Sequence, residues 1–207
     1  MKRTLVAGAL LAALMFGTAA CDGDDDGDAP GGTQPAGTAA AVPTPTRPPA
    51  GTAPPSVQAA IEAALDADAD ALTEMVRYSR IGCIAEAQGA GAPPLCAEGE
   101  EEGTIVEVLP ATQCEGFYIR RDDVADEMER FVRGGLEDYA VYNTPQRYFP
   151  PGPFSAVFNG TNEGGATVGR EIIVDNNGVV GLNFGCSGDA GELVRTRGLT
   201  DAIVEPD

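Results

Sequence analysis

The chain contains no histidine. That removes the commonest proton shuttle near neutral pH and every Ser-His or Cys-His nucleophile pair. Acid–base chemistry is left to carboxylates and phenols. Asp66 and Glu171 are candidate buried bases with raised pKa, and Tyr78, Tyr118, Tyr139 and Tyr142 are candidate pocket-lining groups. The same residues read more simply as surface acids and core aromatics. Asp66, Asp68 and Asp70 suggest paired carboxylates, but alternate residues on a helix do not face one another, and acids at a first turn are ordinary dipole partners. No phosphate loop or dinucleotide fingerprint is present. No catalytic residue, metal or cofactor is assigned from the sequence.

Cysteine is the other chemically informative type. Cys83, Cys96, Cys114 and Cys186 form an even set, which in an exported chain argues for two disulfides with three possible connectivities. We favour Cys83 with Cys96, which closes a Gly- and Pro-rich loop, and Cys114 with Cys186, which links the middle of the chain to its last long strand. Each would contribute roughly 2 to 4 kcal/mol. Zinc is disfavoured, since there is neither a CxxC spacing nor a histidine. Asp22-Gly23-Asp24-Asp25-Asp26-Gly27 opens like a calcium loop, yet its twelfth position is Thr33 where a bidentate Glu is needed, and no helix pattern flanks it. A solvated acidic spacer is the better reading.

The fifth cysteine, Cys21, follows Met1-Lys2-Arg3, an apolar run from Leu5 to Phe16, and the small residues Gly17-Thr18-Ala19-Ala20, the layout of a secretory signal. The run falls short of the roughly 20 apolar residues of a membrane span. Its end resembles the bacterial lipobox, in which the cysteine takes a diacylglyceryl group and becomes the first residue after cleavage. The resemblance implies residues 1–20 as signal peptide, Cys21 as the lipidation site, and an extracytoplasmic protein held to the membrane by that lipid. Residues 21–55 are almost wholly Asp, Gly, Ala, Thr and Pro, and such a composition cannot offset its ordering entropy. They read as a disordered tether, about 30 to 35 Å end to end if flexible and approaching about 100 Å if Pro-stiffened. Without Lys2 and Arg3, 32 acids face 11 arginines, which disfavours nucleic acid as a partner.

From about Ser56 the composition becomes one that can make a core, and about 150 residues suit a single domain. Ser56 is a candidate N-cap for a helix carrying Val57, Ile61, Ala64 and Leu65, and a shorter helix follows with Leu72, Met75 and Val76. Strands are expected over 80–84, 104–109 and 117–120, and then a helix whose apolar stripe is Val124, Met128, Phe131 and Val132, stopped by Gly134-Gly135. The last third reads as an antiparallel meander of strands over 139–142, 154–159, 171–174 and 179–186, with a hairpin at Asn177-Gly178. Period-two spacing places Val180, Leu182, Phe184 and Cys186 together, pointing inward.

A helix pair, a third helix and a run of long strands ending in "REIIVDNNGVVGLNFGC" resemble the NTF2-like, or SnoaL-like, cone fold. The opening "AALDADADALTEMV" is similar to that superfamily's early helices. The resemblance implies an α+β domain over residues 56–190, with N-terminal helices packed on a curved antiparallel sheet, and leaves 191–207 as a C-terminal tail. It leaves function open, because the fold hosts both enzymes and inert binding modules. The favoured expectation is a non-catalytic module for a small molecule or protein; the alternative is a cone-pocket isomerase or hydrolyase using a buried carboxylate or tyrosine. If Cys21 carries the anchor, Cys21→Ala releases the protein from the membrane fraction. Retention of that variant there would defeat the lipoprotein reading.

Overall fold

The computed structural model describes residues 53–145 and 148–204. Cys21, the signal, the tether and the Asp22–Thr33 segment lie outside the described residues. What is described belongs to one compact unit.

The architecture is α+β. Among the described residues, four α-helices, α1 (Pro55–Leu65), α2 (Ala69–Glu74), α3 (Val124–Val132) and α4 (Ala190–Arg197), accompany an eight-stranded sheet. Its strands are β1 (Ser79–Gly82), β2 (Ile105–Gln113), β3 (Glu115–Arg120), β4 (Leu136–Asn143), β5 (Phe154–Thr161), β6 (Thr167–Asp175), β7 (Gly178–Asn183) and β8 (Ala202–Val204). The sheet runs β1-β2-β7-β6-β5-β4-β8, with β3 paired to β2. It is open and mixed: most neighbours are antiparallel, but β2 and β7 pair in parallel at Ala111↔Leu182 and Thr112↔Asn183. The expectation of a wholly antiparallel sheet is corrected at that seam.

The two faces of the sheet do different work. Phe154, Ala156 and Phe158 of β5 and Ile172 and Val174 of β6 join α1 and the α3 stripe Val124, Met128, Phe131 and Val132 in one core. The intervening residues of β5 and β6, among them Ser155, Val157, Glu171 and Ile173, are buried as well. They are covered from the other side by α4 and by the loop that leads into β5. Gly169 permits this, since a Cβ there would sit 2.7 Å from the Asp189 carbonyl and 2.8 Å from Leu193 Cβ. Residues after 190, expected as a tail because the resembled fold has no place for them, thus contribute most of α4 and all of β8, the latter pairing with β4.

Local signals were obeyed with some changes of partner. Asp68 caps α2, its carboxylate accepting from the Ala71 N–H at 2.9 Å. Ser56 lies inside α1, whose N-cap is Pro54, and its hydroxyl donates to the Asp175 carbonyl at 2.8 Å. The β6–β7 turn forms where expected, with the Asp175 carboxylate accepting from the N–H groups of Asn177 and Gly178. The inward set on the last strand needs correction. A register shift between β6 and β7 pairs Ile173 with Gly181 but Val174 with Val179. A bulge of this kind moves side chains to the opposite face, so Val179, not Val180, joins Leu182 and Phe184 in the core. Cys186 lies beyond the strand and is exposed.

Both favoured cysteine pairs are at disulfide distance, with Cα–Cα 4.9 Å in each. Cys83–Cys96 closes the loop from β1 to β2, and Cys114–Cys186 ties the β2–β3 turn to the chain after β7.

Gly178 couples the turn to α2. Its φ is +144°, and a Cβ would lie 2.1 Å from the Met75 carbonyl, which itself accepts from the Val179 N–H at 3.0 Å. Gly178→Ala should lower the unfolding free energy by about 1–3 kcal/mol through backbone strain, read as a lower urea midpoint. An unchanged midpoint would show that the α2–β7 seam is not tightly constrained.

Candidate functional site

Glu171, a candidate base, is fully buried. Its carboxylate is already committed. Oε1 accepts from the Ser155 hydroxyl at 2.5 Å and from the Arg197 guanidinium at 3.3 Å, and Oε2 accepts from the Asn183 amide at 3.1 Å. Arg197 Nε also lies 3.0 Å from Oε2, at an angle too poor for a hydrogen bond, so that contact is coulombic. Thr144 extends the network to Ser155 at 2.6 Å, and Arg197 donates to the Phe149 carbonyl at 2.8 Å while lying 5.1 Å over the Tyr148 ring. A buried charge is tolerable only when paired and hydrogen-bonded. Here a β6 carboxylate and an α4 guanidinium meet those terms for each other and bind helix to sheet.

The other candidates are dispersed. Tyr78 is half-buried with the Arg121 guanidinium 5.2 Å over its ring, and burial pushes its hydroxyl further above neutrality. Tyr118 packs edge-on against Phe149, with ring centroids 5.5 Å apart. Tyr142 is half-buried in β4, and the Tyr139 side chain lies outside the described residues. Asp66 is exposed on an open groove lined by Glu62, Asp68 and Glu74 of the α1–α2 pair. Among the described residues, Cys83, Cys96 and Glu100 fall within metal-ligand reach of one another. The two sulfurs are joined to each other, and Glu100 pairs with Arg120 at 2.6 Å, which holds its carboxyl below the usual range.

A cleft of about 410 Å³ opens on the side of the sheet that carries α3, between the C-terminal end of that helix, the β5–β6 hairpin and the chain leaving β7. Its character is cationic. Arg130, Arg133 and Arg170 line it together with Phe184, Val168 and Gln113.

Arg170 is the most constrained of these. It is 6 % exposed, and its guanidinium donates to the carbonyls of Phe131, Arg133 and Thr161. The first two are carbonyls at the end of α3, where helix backbone lacks internal partners and the dipole favours a cation. Gly160 makes room: a Cβ there would lie 2.8 Å from Arg170 Nε. Desolvation, with added repulsion from Arg130 and Arg133, pulls the Arg170 pKa below the ordinary guanidinium value. Arg130 lies 4.2 Å over the Phe184 ring and pairs with Glu127 at 3.0 Å. Phe184 is held in turn by Phe131 and Phe117, at centroid separations of 5.6 and 6.3 Å. Arg133 is exposed and has no acid partner among the described residues.

None of these arginines stood out in the sequence. A signal was present in Arg170, a cation inside the otherwise apolar "TVGREIIV", and in the i,i+3 pair Arg130 and Arg133 just before Gly134-Gly135. No protein family model matches the chain, and no curated protein or solved structure matches it.

Removing one partner of a buried pair leaves the other uncompensated. Arg197→Met should therefore lower the unfolding free energy by about 3–5 kcal/mol, and adding Glu171→Gln should recover part of that loss. Denaturant titration of the two variants checks this. A double variant no more stable than Arg197→Met alone would show that the pair is not what holds α4.

Proposed function

We propose that this chain is a lipid-anchored extracytoplasmic protein whose folded part is a non-catalytic binding module for a small ligand. The observation that carries the reading is the cleft at the end of α3, where Phe184 of the core and the buried Arg170 of β6 form part of the wall. Its size falls within the usual range of about 300–1,000 Å³ for small-molecule sites. The buried acid that could serve an enzyme supports binding over catalysis: Glu171 accepts from three side chains and does not line the cleft.

Two disulfides suit an oxidising compartment outside the cytoplasm. Among the described residues no helix is long and apolar enough to cross a membrane, so attachment through Cys21 is the route we propose. An NTF2-like cone is part of the same proposal. It is supported by the order of elements, a helix pair, then strands, a third helix and four long consecutive strands, and by the packing of α1 and α3 on one sheet face. Nucleic acid is not among the proposed partners, given the net charge of −19.

A ligand that binds the folded state alone raises apparent stability by mass action, by about 2.7 kcal/mol at a hundredfold excess over Kd. Thermal denaturation of the full chain against a broad panel of small metabolites should give at least one saturable rise in Tm. A flat response across the panel would contradict the binding-module reading.

A further inference from the structure

We propose that the arginine-lined cleft binds a small monoanion, a carboxylate carried on an apolar body. The inference rests on the binding-module reading of the same cleft, independent of the lipid anchor, and supplies its ligand class. Acids outnumber bases 32 to 13 in this chain, yet three arginines converge on one cleft. Such convergence brings like charges together, and an anion between them relieves the repulsion while gaining charge-assisted hydrogen bonds.

The number of charges sets the ligand's valence. Glu163 lines the cleft along with Arg130, Arg133 and Arg170, and Glu127 pairs with Arg130, which leaves one net positive charge. A single carboxylate matches it. A polyphosphate would carry several surplus negative charges into a strongly acidic protein, where the surrounding field opposes it. The roles of the arginines separate by their existing partners. Three of the five Arg170 N–H groups go to backbone carbonyls and its Nε is buried without a hydrogen-bond partner among the described residues, while Arg130 is braced between Glu127 and the Phe184 ring. Arg133 is the exposed guanidinium, with no side-chain partner among the described residues, and a planar fork of that kind receives a carboxylate in bidentate fashion. Val168, Phe184 and the Cys186 end of the disulfide provide the apolar wall for the rest of the molecule.

Isothermal titration of the full chain with phenylacetate, acetate, phenylacetamide and inorganic phosphate separates these terms. Phenylacetate should bind at least about tenfold more tightly than each of the others, a difference of about 1.4 kcal/mol. Arg133→Gln should weaken phenylacetate by at least about tenfold with Tm unchanged, and Arg133→Lys should retain part of the affinity because the charge remains. Equal affinity for phenylacetate and phenylacetamide would overturn the proposal, as would an unaffected Arg133→Gln. Acetate or phosphate binding as tightly as phenylacetate would remove the apolar half and overturn the ligand class. Silence from both carboxylates at about 10 mM, well above any specific affinity worth the name, would overturn it too. If the metabolite panel meanwhile yields a neutral or cationic hit, the binding module stands and only this ligand class falls.

Discussion

The Arg170 guanidinium is the contact on which the cleft end of the molecule depends. From the middle of β6 it reaches the last carbonyls of α3 and the Thr161 carbonyl at the end of β5. Three pieces of chain distant in sequence are thereby set around one cation. The arrangement tolerates a buried charge without a carboxylate because the acceptors are main-chain oxygens at the negative end of a helix. It also deposits positive potential in the wall of the cleft. The group that satisfies the helix end is the group that charges the cleft.

The opposite face of the sheet solves a similar problem with the signs exchanged. Glu171, adjacent to Arg170 in β6, points the other way and is neutralised by Arg197 of α4. Strand alternation thus sends a cation and an anion from neighbouring residues to two separate environments. The anion is enclosed by side-chain donors and the cation stands at the edge of an open cleft. This asymmetry is why Glu171, one of the candidate bases in the sequence, reads in the structure as a fastening for α4.

Much of the architecture was legible in residue order. The α3 stripe of Val124, Met128, Phe131 and Val132 is the set the structure buries, because a 3.6-residue period has no competing interpretation there. The Asn177-Gly178 turn and both disulfide partners were legible for similarly local reasons. The departure of Val180 from the inward set was not, since a bulge changes strand parity and leaves no mark in the hydrophobic pattern, and neither was the exposure of Cys186, which lies past the end of β7. The roles of α4 and β8 were hidden because their anchors, Arg197 and Leu199 among them, sit in a polar, glycine-containing stretch and find their partners far back in the chain. The arginine cleft was hidden for a different reason. Arg130, Arg133 and Arg170 come from two elements, and only the packing of α3 on the β5–β6 hairpin brings them together.

Hydrogen exchange on Arg170→Met tests this account most directly, because the substitution keeps much of the volume and removes the donors. The account predicts faster exchange confined to the end of α3 and to the β5–β6 hairpin, around residues 131–136 and 161–167, with α1 and the β6–β7 pairing still protected. Exchange at those segments indistinguishable from the unaltered protein would contradict it, by showing that the cleft holds together without the cation at its centre.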